Sequence, residues 1–482
     1  MISELHVRGM TKSRPGPDAG TFAGLVDDLH RLASLGVSVI ELLPVHQFDP
    51  AEGNYWGYMA LVFGAVHQQY ASGADANAEL ADLIEAAHHH DIEVWLDIVV
   101  NHTTEEDEDG PTYNLRGRAD RKYYARDAHG DYLDDAGCGN VVDTTSPIAQ
   151  SLIMTALDRF ADLGVDGFRF DLATILARDP EFVRGIGDWA AERQVRLVAE
   201  AWDMVRYQVG RAWPDQRWMQ WNGEFRDDLR GFLRGEPGLV SRVSKRLAGS
   251  PDLYVSPMES VNFLTAHDGF TLYDLVAYDH RHNEANGWDN TDGHHDNRSW
   301  NSGWEGDDAV PDGVIALRER RMRNAMCMLL LSHGVPMFVA GDEFARTQGG
   351  NNTSSNQDNA TSWIDWSRAE RFADLERFVE RLIALRAAHP VLWDRARWDD
   401  QMMVHGASGG PDLSFESRSI AWSVDGLYVM ANMWWESVEF RIQEPGEWWV
   451  VVDTTDPWSP PVGSRAGQTV TVGPRSIVVL EH

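Results

Sequence analysis

The stretch IEVWLDIVVNHT (92–103) runs apolar with little alternation and then breaks into Asn101, His102 and Thr103. A strand with one solvated face alternates polar and apolar residues, whereas a short continuous β-branched run is the pattern of a strand buried on both faces of a parallel sheet. Outward from this stretch, comparable runs recur at 5–7, 37–45, 167–172, 196–202, 261–266 and 336–340, with a weaker one at 218–221. Amphipathic helical patterns lie between them at 22–35, closed by Gly36, and at 78–90, 148–163, 180–193, 317–332 and 375–388. Eight strand candidates, each followed by a helix or a long loop, predict an α/β protein built on a (β/α)8 TIM barrel.

The polar stretch 103–145, after the third strand, reads as an ordered loop insertion over the barrel mouth. Beyond about residue 395 the pattern changes to short alternating or apolar runs at 419–423, 427–433, 438–442, 448–452 and 476–480, with turn residues between them. The expected organisation is therefore a catalytic barrel over 1–395 and a C-terminal antiparallel β-sandwich over 396–482.

In such barrels the chemistry sits at the C-terminal ends of the strands. The third strand places Asp97, Asn101 and His102 at or near the mouth. The fourth (GFRFDLA, 167–173) brings Arg169 and Asp171 to one side by its period of two. The fifth (VAEAWD, 198–203) offers Glu200, and the seventh (NFLTAHD, 262–268) offers His267 and Asp268. Carboxylates converging on one cleft suit retaining glycoside hydrolysis, in which one attacks the anomeric carbon and another protonates the leaving oxygen. Arg169 is placed to keep Asp171 ionised. Trp56, Trp202, Trp300 and Trp304 fall in mouth loops, where flat rings can stack on sugar faces, while Trp434, Trp435, Trp448 and Trp449 read as core of the β domain. His88, His89 and His90 read as a solvated helix end, and His294 and His295 with Asp296 as loop residues without zinc spacing.

The chain has 482 residues and a formal net charge of −33, with only three lysines (Lys12, Lys122 and Lys245). Such a polyanion is a poor non-specific partner for nucleic acid or an anionic membrane. Two cysteines, Cys138 and Cys327, rule out a disulfide scaffold and fit a reducing compartment. With no apolar run of about 18 residues and no charged-then-apolar leader, a cytoplasmic location is expected. No Walker or dinucleotide phosphate loop occurs, which sets aside nucleotide-dependent chemistry.

The four segments DIVVNH (97–102), GFRFDLA, VAEAWD and NFLTAHD resemble, in order, the four signature regions of the α-amylase superfamily. NYWGYM (54–59), FRDDLRGFLRG (225–235), HNEANGWDNTDGHHDNRSWN (282–301) and GDEFARTQGGNNTSSNQDN (341–359) narrow the likeness to the isoamylase and bacterial glycogen-debranching branch. The resemblance covers about residues 2–395. It implies Asp171 as nucleophile, Glu200 as general acid/base and Asp268 as transition-state stabiliser. Tyr58, His102, Arg169 and His267 would line the same subsite, and Asp97 would organise it. The implied activity is hydrolysis of α-1,6 branch points in glycogen or limit dextrins, so the implied partner is a branched α-glucan.

The resemblance implies no required cofactor. Some relatives bind calcium near the insertion, but no clear ligand set is visible here, and no other metal site is expected. Debranching enzymes of this type carry an N-terminal β-sandwich ahead of the barrel. Met1 lies almost at the first strand, so that module is expected to be lacking, which would weaken hold on the polymer. The segment 204–208 after the fifth strand is short, which predicts a small acceptor site. Other activities of the superfamily, α-1,4 hydrolysis or transglycosylation, share the same carboxylates, as would a non-catalytic glucan-binding protein with the residues retained. The segments HNEANG and TQGGNN favour debranching.

Overall fold

The structure, a computed structural model, describes residues 1–50, 53–394 and 401–482. Eight parallel strands form the barrel: β1 (Ile2–Leu5), β2 (Val39–Leu42), β3 (Glu93–Ile98), β4 (Gly167–Phe170), β5 (Arg196–Ala199), β6 (Met219–Trp221), β7 (Ser260–Phe263) and β8 (Val335–Val339). Their hydrogen-bonded order runs β1-β8-β7-β6-β5-β4-β3-β2 and closes, as the alternation of apolar runs and helices predicts. The chain parts into two compact units, Met1–Trp221 with Ser354–Asp365, and Asn222–Thr353 with Trp366–His482. β1 to β6 belong to the first and β7 and β8 to the second.

In the first unit the register puts functional positions side by side. Asp97 of β3 pairs with Arg169 of β4, and Arg169 with Val198 of β5. Gly167 opens β4 because a Cβ there would sit 2.6 Å from the Trp95 ring on the neighbouring strand. Two local expectations are corrected. The first strand ends at Leu5, not at residue 7, because the imidazole of His6 accepts the Gly9 N–H (3.0 Å) and caps a helix over Val7–Thr11. The helical pattern at 22–35 is two helices, Phe22–Val26 and Leu29–Leu35. The break falls where buried Asp28 takes a two-pronged ion pair from Arg14, both bonds 2.7 Å.

The insertion at 103–145 is ordered and carries a helix, Leu115–Tyr123. The Glu105 carboxylate holds it by accepting the N–H groups of Tyr113, Asn114 and Arg116 and the Tyr124 hydroxyl. Arg116 returns bonds to the carbonyls of Gly110, Glu105 and Glu106.

In the second unit the C-terminal strands β9 (Met403–His405), β10 (Ser419–Val424), β11 (Leu427–Asn432), β12 (Val438–Arg441), β13 (Trp449–Asp453), β14 (Thr469–Val472) and β15 (Ser476–Glu481) form antiparallel sheets. The order is β9-β10-β11-β15-β13 in one sheet, with β12 paired to β14 in another. Tyr428, Met430 and Leu480 of the larger sheet share a core cluster with Phe440 and Val472 of the smaller one. β9 and β14 escape sequence reading because they are short and largely exposed on one face. The expected boundary at 395/396 lies outside the described residues. Within this unit Arg323 donates to the Thr454 carbonyl (2.9 Å) and Asn324 to that of Arg475 (2.8 Å).

The tryptophan expectations are corrected in part. Trp56 is buried, and Trp300 is packed between the guanidinium groups of Arg321 and Arg475, 4.6 and 4.5 Å from its ring. Trp435 and Trp449, expected in the core, are exposed. Both errors have one cause: local pattern does not record which loop or sheet edge meets a ring. Among the described residues no helix is long and apolar enough to cross a membrane.

Candidate active site

One buried guanidinium organises the strand ends of the first unit. Arg169 Nη1 donates to both oxygens of Asp97 (2.9 and 2.8 Å) and to Asp171 Oδ1 (3.2 Å), while Nη2 donates to Glu200 Oε2 (2.9 Å). The guanidinium lies 4.2 Å from the Trp221 ring, at the end of β6. Burial works against its charge, but the fields of Asp97, Glu200 and Asp171 outweigh burial and hold Arg169 firmly protonated. One cation thus neutralises part of a group of three carboxylates that would otherwise repel one another.

Each carboxylate has a second anchor. The Tyr58 hydroxyl donates to Asp97 Oδ2 (2.5 Å). Burial and then the Asp97 charge push the Tyr58 hydroxyl far above its ordinary range, so it stays a donor. Asn101 Nδ2 donates to the Asp171 carbonyl (2.6 Å) and to Asp171 Oδ2 (2.8 Å), and Asn101 Oδ1 is bonded to the His102 ring. Glu200 Oε2 accepts a further bond from the Leu172 N–H (2.9 Å). Leu172 donates it from a left-handed conformation (φ 39°), which branched residues rarely adopt. Such backbone costs of order 1–3 kcal/mol and collects at functional sites. Here it turns the chain immediately after Asp171 so that its own N–H meets Glu200.

Arg169→Met is expected to cost about 3–5 kcal/mol near neutral pH, the usual penalty for leaving buried charges without their partner. Arg169→Lys, which keeps the positive charge, should lose less. Thermal melts of the two variants check this, and equal losses would show that charge is not what Arg169 supplies.

The second unit holds Asp268 and His267 in the loop after β7. Arg230 Nε donates to the Leu264 carbonyl (2.6 Å), and Asp342 accepts from the Thr265 hydroxyl and the Leu272 N–H (2.5 and 2.8 Å). The Gly269 N–H donates to the Asn352 carbonyl (2.8 Å). His294 Nε2 stands 3.4 Å from Asp268 Oδ2. Burial pushes the Asp268 carboxyl up, but the His294 bond and the charges of His267, His294 and Arg226 outweigh it and hold it well below the ordinary carboxylate range.

The segments 282–301 and 341–359 meet here through amides. Asn352 donates to Asn283 Oδ1 from its backbone (3.0 Å) and receives Asn283 Nδ2 on its side chain (2.8 Å). Asn351 and Asn286 pair similarly, at 2.8 Å. Gly293 (φ 71°) permits the approach, since a Cβ there would lie 2.2 Å from Asn352 Oδ1.

The first unit therefore brings together Tyr58, Asp97, His102, Arg169, Asp171 and Glu200. Asp268 and His267 lie together in the second. Sequence reasoning did not assign Asn101, Trp221, Leu172 or His294 a part. Asn101 stood in plain view beside His102, but Trp221 ends the weakest strand run and nothing local marks Leu172. Among the described residues no group of three or more His, Cys, Asp and Glu side chains could hold a metal ion.

Residues 9–134 match the α-amylase catalytic-domain family. Over 466 residues the chain is 42% identical to the glycogen operon protein GlgX homologue of Mycobacterium tuberculosis, covering 90% of this chain and 63% of that protein. The chain belongs to the α-amylase superfamily. Relatives that it matches include proteins of the isoamylase and GlgX branch. The glycogen debranching enzyme of Dickeya chrysanthemi is 41% identical over 83% of this chain and 64% of its own length. Isoamylase 1 of rice (Oryza sativa subsp. japonica) is 36% identical over 95% and 64%. The chain thus spans less than two thirds of the length of these α-amylase-superfamily relatives. Among solved structures, the pullulanase of Bacillus acidopullulyticus superimposes with a TM-score of 0.81 at 22% identity, over all of this chain and 60% of that one, a likeness of fold.

Proposed function

We infer that this α-amylase-superfamily chain is a retaining glycoside hydrolase that cleaves α-1,6 branch linkages in glycogen or its limit dextrins. The observation that carries the reading is the shared guanidinium. Asp171 and Glu200 are each bonded to a terminal nitrogen of Arg169, at 3.2 and 2.9 Å. Those nitrogens are only a few ångström apart, which suits the roughly 5–5.5 Å separation of a retaining pair.

In the proposed reaction Asp171 attacks the anomeric carbon while Glu200 protonates the glycosidic oxygen, releasing the linear branch. Glu200 then takes a proton from the water that opens the glycosyl-enzyme. Because Glu200 Oε2 already accepts two N–H bonds, the transferable proton belongs on Oε1. Asp268 holds the reacting sugar through its hydroxyls, Tyr58 stacks beneath it, and His102 and His267 line the same subsite. Asp97 fixes Arg169 and Tyr58. The choice of the α-1,6 linkage is supported by the names of the relatives, a glycogen debranching enzyme and an isoamylase. The barrel over 1–395 is assigned the chemistry and 396–482 the role of a separate β domain. The reading needs no cofactor. Its place is the cytoplasm, in keeping with unpaired Cys138 and Cys327.

Product analysis on phosphorylase limit dextrin, glycogen, pullulan and amylose, with Glu200→Gln alongside, tests the reading. Release of short linear maltooligosaccharides from limit dextrin with amylose untouched is expected. Cleavage of amylose instead would move the activity to α-1,4 linkages, and a folded sample inert on all four would favour a binding role.

A further inference from the structure

The second unit contains a cavity of about 30 Å³, room for one water-sized species. Arg230, Arg298 and Arg321 line it together with Asn324, and the remaining wall is apolar, with Leu264 and Leu272 part of it. No acidic side chain contributes to that wall among the described residues. Arg298 has a counter-charge in Glu236, 3.5 Å away. Arg230 and Arg321 are both more than nine-tenths buried, and neither has a carboxylate within ion-pair distance among the described residues. Arg230 donates to the carbonyls of Leu264 (2.6 Å) and Asn297 (3.5 Å). Arg321 Nη1 donates to the Trp300 carbonyl (2.5 Å) and the Ser302 hydroxyl (2.8 Å). These neutral acceptors take up hydrogen bonds but leave both positive charges without a contacting counter-charge.

Buried charges in proteins are paired, because leaving water without a counter-charge is costly. That cost is visible here. Burial, and after it the charge of Arg226, pushes Arg230 down to about 9, and Asp227, Asp268 and Asp342 offset this only in part. Burial, and after it the charge of Arg475, does the same to Arg321, with Asp279 the opposing field. Arg321 Nε is in addition a buried donor with no hydrogen-bond partner among the described residues. We propose that the cavity is a binding site for a single halide ion, which supplies the negative charge that Arg230 and Arg321 lack. The volume leaves no space for the four oxygens of sulfate or phosphate. Arg298, about a quarter exposed, gives the ion a route from solvent.

Water is the competing occupant. Asn324 Nδ2 donates to the Arg475 carbonyl (2.8 Å), while Asn324 Oδ1 is a buried acceptor with no hydrogen-bond partner among the described residues. The two occupants differ in charge: water leaves the cost of two buried cations standing, and a halide removes it. The chain carries a net charge of −33, so its surface repels anions in general. An anion-specific response therefore reports a defined site and not loose association.

The test uses the full chain in sodium gluconate, an anion too bulky for the cavity, titrated with sodium chloride at constant ionic strength. The protein should broaden the chloride NMR line, bromide should reverse the broadening by displacement, and sulfate should leave it unchanged. The melting temperature should rise by about 2 °C at a chloride concentration roughly twentyfold above Kd, the scale for a chain of this size. Arg321→Gln removes one charge, and Ala325→Val fills the cavity with the charges untouched. Each folded variant should lose both the broadening and the chloride-dependent part of the melting temperature, and the two substitutions are independent should one fail to fold. A chloride line no broader with the parent protein than without it overturns the proposal and leaves the cavity to water. Broadening that survives in a folded variant overturns it too, because the ion then binds elsewhere.

Discussion

Asp171→Asn is expected to lower kcat on limit dextrin by about 10⁴-fold or more, the scale on which loss of a nucleophile acts. The amide cannot form the glycosyl ester through which the reaction is proposed to pass. The substitution also disturbs a defined set of contacts. Asp171 accepts from Arg169 on Oδ1 and from Asn101 on Oδ2. An amide must turn its NH2 toward one of those donors, so about 1–3 kcal/mol of stability should go with the activity. Denaturant melts measure that part separately from rate. The smaller Asp171→Ala, supplied with azide, should regain cleavage and release the glycosyl azide of inverted configuration, because the anion enters the space the carboxylate leaves. A folded Asp171→Asn sample that works at nearly the parental rate, with contamination excluded, would remove this mechanism.

Glu200→Gln should behave differently, and the difference identifies its role. A lost general acid/base costs about 10²–10⁴-fold, and the cost depends on how much the leaving group needs a proton. On a branched glucan, whose leaving group is a sugar alkoxide, the full loss is expected. On α-glucosyl fluoride, whose leaving group departs without protonation, the first step should be largely spared. Deglycosylation would then limit the rate, because water has lost its base, and the glycosyl-enzyme should accumulate as a burst. Glutamine keeps an oxygen for Arg169 Nη2 and the Leu172 N–H, both of which donate to Glu200 Oε2, so the fold should be retained. Equal losses on both substrates would assign Glu200 a positioning role instead.

Much of the barrel and of its strand-end chemistry was legible in the sequence. Burial on both faces forces continuous apolar runs, and helical period fills the intervals, so eight strands could be counted before any was placed. Asp97, Arg169, Asp171 and Glu200 could be grouped because neighbouring parallel strands end side by side, and register then pairs Asp97 with Arg169. The resemblance to the α-amylase superfamily supplied roles that spacing alone left open.

What stayed illegible shares a physical character. Trp221 beneath Arg169, the left-handed turn at Leu172 and the amide network of Asn283, Asn286, Asn351 and Asn352 are contacts between loops or strand ends distant in sequence. Periodicity records only which face of an element is dry. The same limit misplaced Trp56, Trp300, Trp435 and Trp449 and ended the first strand two residues late.

By itself, then, the sequence determined the barrel, the β domain and the carboxylates available at the strand ends, because burial and period are written locally. Only the tertiary structure decided that one guanidinium ties Asp97, Asp171 and Glu200 together and that His294 reaches Asp268. A hydrogen bond depends on ångström-scale distances between side chains, and those are set when distant segments pack.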